Sequence, residues 1–227
     1  MVKDKVIAID GPAGSGKSTM ARSLAKDLNL LYVDTGAMYR ALGLIAKKAN
    51  IPFEEKELSK FLSNLDLKYI GEKDKLLTIN DEDLTHKIRE HFVSELASEI
   101  SKHKVVRDFL VKIQRNLAKD RIIVMEGRDI GTVVFPQAFC KIFLTASEDI
   151  RAKRRHLELS EKGNDIAFQK VLGDVKNRDE RDQKRELAPL KPASDAVLLD
   201  TSSLDLKGAL MAMKKIVQEK AALHGIK

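Results

Sequence analysis

Gly11-Pro-Ala-Gly-Ser-Gly-Lys17-Ser18 satisfies the pattern G-x-x-x-x-G-K-[ST] at every fixed position. On its N-terminal side lies Val6-Ile-Ala-Ile-Asp10, a short apolar run closed by turn residues, as a buried strand requires. On its C-terminal side Met20, Ala21, Leu24, Ala25 and Leu28 recur at the spacing of one helix face. A strand, a glycine-rich loop and a helix in this order form a phosphate cradle. The glycines let the backbone curl until successive N–H groups point inward, and the helix adds its positive N-terminal end. Residues Gly11, Pro12, Ala13, Gly14, Ser15, Gly16, Lys17, Ser18 and Thr19 are therefore the expected nucleotide contacts. Lys17 is placed to reach the β- and γ-phosphates, and the Ser18 hydroxyl to ligate Mg²⁺. A glycine-rich connector that binds nothing is the bland alternative, which so full a match in this context disfavours. The loop implies ATP or GTP binding and leaves the reaction open.

Outward from the loop the pattern stays mixed α/β. Leu30–Val33, Arg121–Met125, Lys141–Leu144 and Ala196–Leu199 read as four further buried strands. Helical patterns run over about 37–49, 148–162, 165–186 and 204–223. Strands alternating with helices predict a central parallel five-stranded sheet covered on both faces, a three-layer fold. The stretch 52–119 departs from that rhythm. It reads as a helix at 54–63, a hairpin of 66–70 and 76–79 around Gly71-Glu-Lys-Asp-Lys75, and helices at about 91–101 and 103–119. The expected organisation is a core of 1–51 and 120–227, from which 52–119 hangs as an insertion.

Hydrophobic residues make up 43% of the 227, enough for a real core, and the net charge is +7. Acidic and basic residues are interleaved, so the excess reads as a solvated surface rather than a nucleic-acid tail. Cys140 is the only cysteine, which excludes an intramolecular disulfide, and its apolar neighbours make it a small core residue. The N-terminus shows no long apolar segment and no run approaches a membrane span, so a cytoplasmic protein is expected.

Asp34-Thr-Gly-Ala-Met-Tyr-Arg40 follows the second strand, and Glu126-Gly-Arg-Asp-Ile-Gly-Thr132 closes the third. Both lie at carboxyl strand ends, the ligand side of open α/β sheets. Read alone, Arg40 fits a surface ion pair equally well; with Arg128 it makes a second anion site. In Asn177–Arg185, Arg178, Arg181, Asp182 and Arg185 share about one third of a helix circumference. The apolar stripe of Val171, Leu172 and Val175 does not continue past 176, so this helix end is expected to leave the core. A solvated helix laced with ion pairs is one reading. Arginines gathered on one side favour another, a mobile cover over phosphates.

With these segments the chain resembles bacterial cytidylate kinases, nucleoside monophosphate kinases built on the phosphate-binding loop, over essentially its whole length. Ile9–Thr19, Asp34–Arg40, Gly127–Pro136, and Arg178–Arg185 with Ala188-Pro-Leu190 carry the likeness. The resemblance implies transfer of the terminal phosphate of ATP to CMP or dCMP, with Mg²⁺, by a monomer that binds neither nucleic acid nor membrane. It implies acceptor contacts at Thr35, Arg40, Ser98, Arg107, Arg128, Asp129, Arg178, Asp182 and Arg185. Ser98, Arg107 and Asp129 would face the base. Thr35, Arg178 and Asp182 would lie near the sugar, and Arg40, Arg128 and Arg185 near phosphate. Lys17, Arg40, Arg128, Arg178 and Arg185 would carry the catalytic charge. Position 35 is often serine in the family, and threonine keeps the hydroxyl.

The chemistry agrees with that implication. Cytosine offers an amino donor where uracil offers a carbonyl, so a carboxylate at Asp129 favours C over U. No general base is evident among His86, His91, His103, His156 and His224. None is needed, because a nucleotide phosphate oxygen is already anionic near neutral pH. Kinases for other small acceptors, such as UMP, AMP or shikimate, are the alternative. A GTP switch is disfavoured by the missing N-K-x-D pattern.

Overall fold

The loop of Gly11–Ser18 leaves the middle strand of a five-stranded sheet, and that strand is buried as the apolar run before the loop predicts. The structure is a computed structural model that describes residues 4–72, 74–90, 92–161 and 163–226. Lys73 of the expected turn, His91 and Lys162 lie outside the described residues. The chain packs as two compact units, Met1–Tyr32 with Arg121–Lys227, and Val33–Asp120.

The sheet contains β1 (Asp4–Asp10), β2 (Leu31–Asp34), β6 (Ile123–Glu126), β7 (Ala138–Thr145) and β8 (Val197–Asp200) in the order β2-β6-β1-β7-β8. All five strands match the expected ones to within a few residues. β1 pairs in parallel with β6 (Val6 opposite Ile123) and with β7 (Ile7 opposite Cys140), and β7 with β8 (Ile142 opposite Val197). The order places β6 and β2 on one side of β1 and β7 and β8 on the other, so ligands are expected where its carboxyl end opens. α1 (Lys17–Asp27) and α8 (Leu206–His224) cover one face, packing Met20, Leu24, Met213 and Val217 onto Ile7, Ile9, Val124 and Ile142. Leu28 drops out of the predicted stripe: it caps the C-terminus of α1 and is 36% exposed. Cys140 is buried in this core, where desolvation pushes its thiol up to about 12, far from reactivity.

Two further helices, α6 (Glu148–Glu161) and α7 (Phe168–Gln183), pack on each other in the same unit. The C-terminal half of α7 does not leave the core as expected. Val171, Val175, Asp179 and Asp182 form one continuous buried stripe. The stripe continues in carboxylates rather than hydrocarbon because each finds a buried or half-buried arginine. Arg181, grouped with Arg178 by helix geometry, is exposed instead.

In the unit Val33–Asp120, α2 (Thr35–Lys48) lies against α4 (Val93–Ile100), and α3 (Glu55–Ser63) against α5 (Lys104–Leu117). Gly43 permits the first contact, since a Cβ there would sit 2.9 Å from the Cβ of Leu96. The expected hairpin of β3 (Leu67–Tyr69) and β4 (Leu77–Ile79) forms, and β5 (Glu82–Asp83) adds a third antiparallel strand. Asn80 and Asp81 join β4 to β5 with φ of 47° and 63°, the paired positive angles of a two-residue hairpin turn. Among the described residues no helix is long and apolar enough to cross a membrane.

Candidate active site

The phosphate-binding loop takes the shape its glycines predict. Gly11 has φ +149°, and a Cβ on it would lie 2.0 Å from the Leu144 carbonyl oxygen of β7, so the loop can turn there only without a side chain. Gly14 (φ +71°) and Gly16 (φ +88°) supply the later bends, and Gly16 caps α1. Ser18 and Thr19 are exposed in the first turn of α1.

Lys17 is buried and folded back, its Nζ donating to the Pro12 carbonyl at 2.7 Å and lying 3.5 Å from Ser15 Oγ. Burial, then the nearby Arg128 and Arg178 charges, lower its pKa to about 7 against a partial offset from Glu126 and Asp10. Desolvation and like charge both disfavour its protonated form, which a neighbouring anion would favour. Asp10, at the end of β1, accepts from the Ile130 and Gly131 amides at 2.8 Å each. Burial raises its pKa to about 7, although both amides oppose the shift. It ties the start of the loop to the segment after β6, where Ile130–Val134 forms a single π-helical turn that sequence periodicity did not predict. Glu126, also buried, accepts from Tyr32 Oη at 2.7 Å.

The arginines of this unit converge through Asp182. Arg128 donates from Nε to Asp182 Oδ2 at 2.8 Å, and Arg185 Nη2 lies 3.0 Å from Oδ1. Burial alone would raise the Asp182 pKa, but Arg128, Arg185 and Arg178 together bring it below the ordinary value. Burial likewise opposes charge on Arg128, and Asp182, Glu126 and Asp179 reverse that, so its pKa is raised. Asp129 is buried at the start of the π turn, its carbonyl accepting from Val133 and Val134. The structure thus gathers Lys17, Arg128, Arg178, Asp182 and Arg185 into one electrostatic cluster. Arg185 lies just beyond the helix end, reaching Asp182 from outside α7.

In the other unit, Asp34 organises the predicted acceptor segment. It caps α2 by accepting from Ala37 N at 2.8 Å, and its second oxygen accepts from Arg40 Nη2 at 2.9 Å. The Asp34 amide in turn donates to Tyr69 Oη of β3 at 2.8 Å. Thr35 is buried at the first position of α2. Ser98 is half-buried on α4, its carbonyl accepting from Ser101 Oγ, and Arg107 is buried on α5.

Several residues escaped the sequence reading: Asp10, Asp34 and Glu126 of these networks, and the buried ion pair of Arg151 with Asp179. Asp34 was findable, because an Asp just before a helical pattern is an N-cap signal. Asp179 could have been suspected from its place four residues beyond Val175 on the buried stripe. Arg151 carried no local signal.

The family model for cytidylate kinase matches residues 7–219. The cytidylate kinase of Caldicellulosiruptor saccharolyticus is 48% identical over 212 residues, 92% of this chain and 94% of that protein. That of Thermosipho melanesiensis is 45% identical, covering 96% of this chain and 98% of the other. The cytidylate kinase of Fusobacterium nucleatum is 44% identical, covering 94% and 97%. Similarity that spans the phosphate-binding loop, both strand-end segments and the arginine-bearing helix alike means that the chain belongs to the cytidylate kinase family.

Proposed function

We propose that this chain transfers the terminal phosphate of ATP to CMP or dCMP, giving ADP and CDP or dCDP. The observation that carries the reading is the state of Lys17: a buried ammonium beside Arg128 and Arg178, held in a glycine loop and depressed to about 7. A triphosphate arriving beside these cations would favour the charged form of Lys17 and add its own oxygens to their partners. Family membership names the acceptor.

ATP is the donor. Its phosphates lie along Gly11–Thr19, with Lys17 on the β- and γ-phosphates. An oxygen of the CMP phosphate attacks the γ-phosphorus, and the bond to the β,γ-bridging oxygen breaks, leaving ADP. The nucleophile is already anionic, so no residue removes a proton from it. Arg40, Arg128 and Arg185 hold the acceptor phosphate, while Thr35, Arg178 and Asp182 serve the sugar. Asp129 accepts from the cytosine amino group, and Ser98 and Arg107 donate to its acceptor atoms. In each case catalysis comes from position and charge.

Mg²⁺ fits this donor set. Ser18 offers one exposed hydroxyl beside the cradle, and among the described residues no group of three His, Cys, Asp or Glu forms a protein cage. An ion held by Ser18, phosphate oxygens and water is the arrangement Mg²⁺ favours, and it would neutralise charge on the transferring phosphate.

The residues 1–51 and 120–227 act as the donor core, 52–119 as the acceptor-binding insertion, and about 151–190 as the lid that excludes water. The protein works as a cytoplasmic monomer without nucleic acid or membrane. An ADP-release assay with ATP and Mg²⁺, offering CMP, dCMP, UMP, AMP, GMP and TMP in turn, tests the reading. Selective turnover of CMP or dCMP is expected; fast turnover of AMP or TMP alone would overturn it.

A further inference from the structure

We infer that Arg151 and Asp179 are positioning residues for the donor site, which set the shape of the phosphate-binding loop from the two lid helices. The inference rests on ATP being the donor.

Ala13 lies between Pro12 and Gly14, where the chain leaves β1's end and begins its curl. Its N–H donates to Asp179 Oδ1 at 3.1 Å, and its carbonyl accepts from Arg151 Nη1 at 2.9 Å. The N–H belongs to the peptide plane before Ala13 and the carbonyl to the plane after it. Holding both planes fixes φ and ψ of Ala13 together, and with them the direction in which the chain enters Gly14. From Gly14 on, the N–H groups must converge on phosphate, so an error in that direction carries through the whole cradle.

The two holders are themselves locked. Arg151 Nη1 donates to Asp179 Oδ2, and Arg151 Nε donates to the Ala146 carbonyl at 2.8 Å. Both side chains are buried, at 5% and 8% exposure. Arg151 stands on α6 and Asp179 on α7, so the clamp closes only when both helices are in place. The Arg151 backbone also presses on the loop: a Cβ on Gly14 would lie 2.9 Å from its carbonyl oxygen. A cavity of about 330 Å³, lined by Pro12, Phe143, Thr145, Arg151 and Asp179 among others, adjoins the pair.

A purely structural ion pair could be exchanged for hydrocarbon without harm to binding, since buried pairs are often no more stabilising than well-packed apolar residues. The paired variant Arg151→Met/Asp179→Leu separates the two roles. Calorimetric titration with ATP·Mg²⁺ and, separately, with CMP is the measurement, alongside a melting curve. The expected result is a folded protein whose ATP affinity falls about tenfold or more, the scale of one lost charge-assisted hydrogen bond, with CMP affinity unchanged. Unchanged ATP affinity, or equal losses for both ligands, overturns the proposal. Should the paired variant fail to fold, Asp179→Asn is titrated instead. It keeps an acceptor for Ala13 but turns an amide towards Arg151. A selective ATP loss of about threefold or more then supports the clamp, and native ATP affinity overturns it. If native protein binds ATP but does not phosphorylate CMP, the functional reading fails while the clamp is still measured.

Discussion

Asp182 holds Arg128 and Arg185 at once, its Oδ2 accepting from Arg128 Nε at 2.8 Å and its Oδ1 lying 3.0 Å from Arg185 Nη2. Removing one carboxylate therefore takes a partner from two half-buried cations at once. Asp182→Ala is expected to lower stability by about 3 kcal/mol, seen in urea unfolding. The sign with pH follows from the depressed Asp182 pKa: its contribution is fully present above 3.8 and lost as pH falls through the lower folded value.

Lys17→Ala should abolish phosphoryl transfer, measured as ADP release. The native lysine makes a subtler prediction. With a pKa of about 7 in the free protein, it is largely neutral at pH 8, and the arriving triphosphate recharges it. ATP binding at pH 8 should take up a proton, and the uptake should fade below pH 6. Calorimetry in buffers of different ionisation enthalpy reads this directly; proton release at pH 8 would contradict it.

Asp129→Ala should narrow the preference for CMP over UMP, read as the ratio of the two kcat/KM values. A buried carboxylate matched to an amino donor discriminates by leaving the wrong base unpaired. An unchanged ratio would remove Asp129 from base recognition.

Asp34→Asn separates capping from charge. Asparagine still caps α2 through the Ala37 amide, but it places a neutral amide opposite Arg40. Stability should change by less than about 1 kcal/mol while KM for CMP rises several-fold and KM for ATP stays put. Equal change in both KM values would argue against a role in placing Arg40.

Gly11→Ala should destabilise the fold by about 3 kcal/mol or more, because φ is +149° and the new Cβ would meet the Leu144 carbonyl at 2.0 Å. Gly173→Ala is the counterpart. It lies inside α7, where a Cβ meets nothing within 4 Å, and should stabilise by about 0.5–1 kcal/mol. Chemical unfolding of both variants checks the pair.

Sequence and structure part company at α7. Helix geometry grouped Arg178, Arg181, Asp182 and Arg185 on one arc, and the missing apolar residues after 176 suggested an exposed end. Hydropathy cannot register a buried aspartate whose arginine lies far away in the chain. Asp179 and Asp182 are 6% and 5% exposed because Arg151 and Arg128 neutralise them. The third strand of the small sheet escaped for a different reason: two residues, Glu82 and Asp83, are too few to show a period.

The sequence by itself determined the donor loop, the parallel sheet that presents it, and the arginine-bearing segments beside the sheet. Each of these is written in residues close together in the chain, as glycine spacing, apolar runs or helix periodicity. Tertiary structure alone decided what those residues hold. Asp10 reaches Gly131 across 121 positions, Ala13 is clamped by Asp179 across 166, and Asp182 collects Arg128 across 54. Burial turns such pairings into obligations, since a desolvated charge must find its partner wherever the fold brings one. That is why the glycine loop that holds Lys17 was legible in the sequence, and the contacts of Arg151 and Asp179 to Ala13 were not.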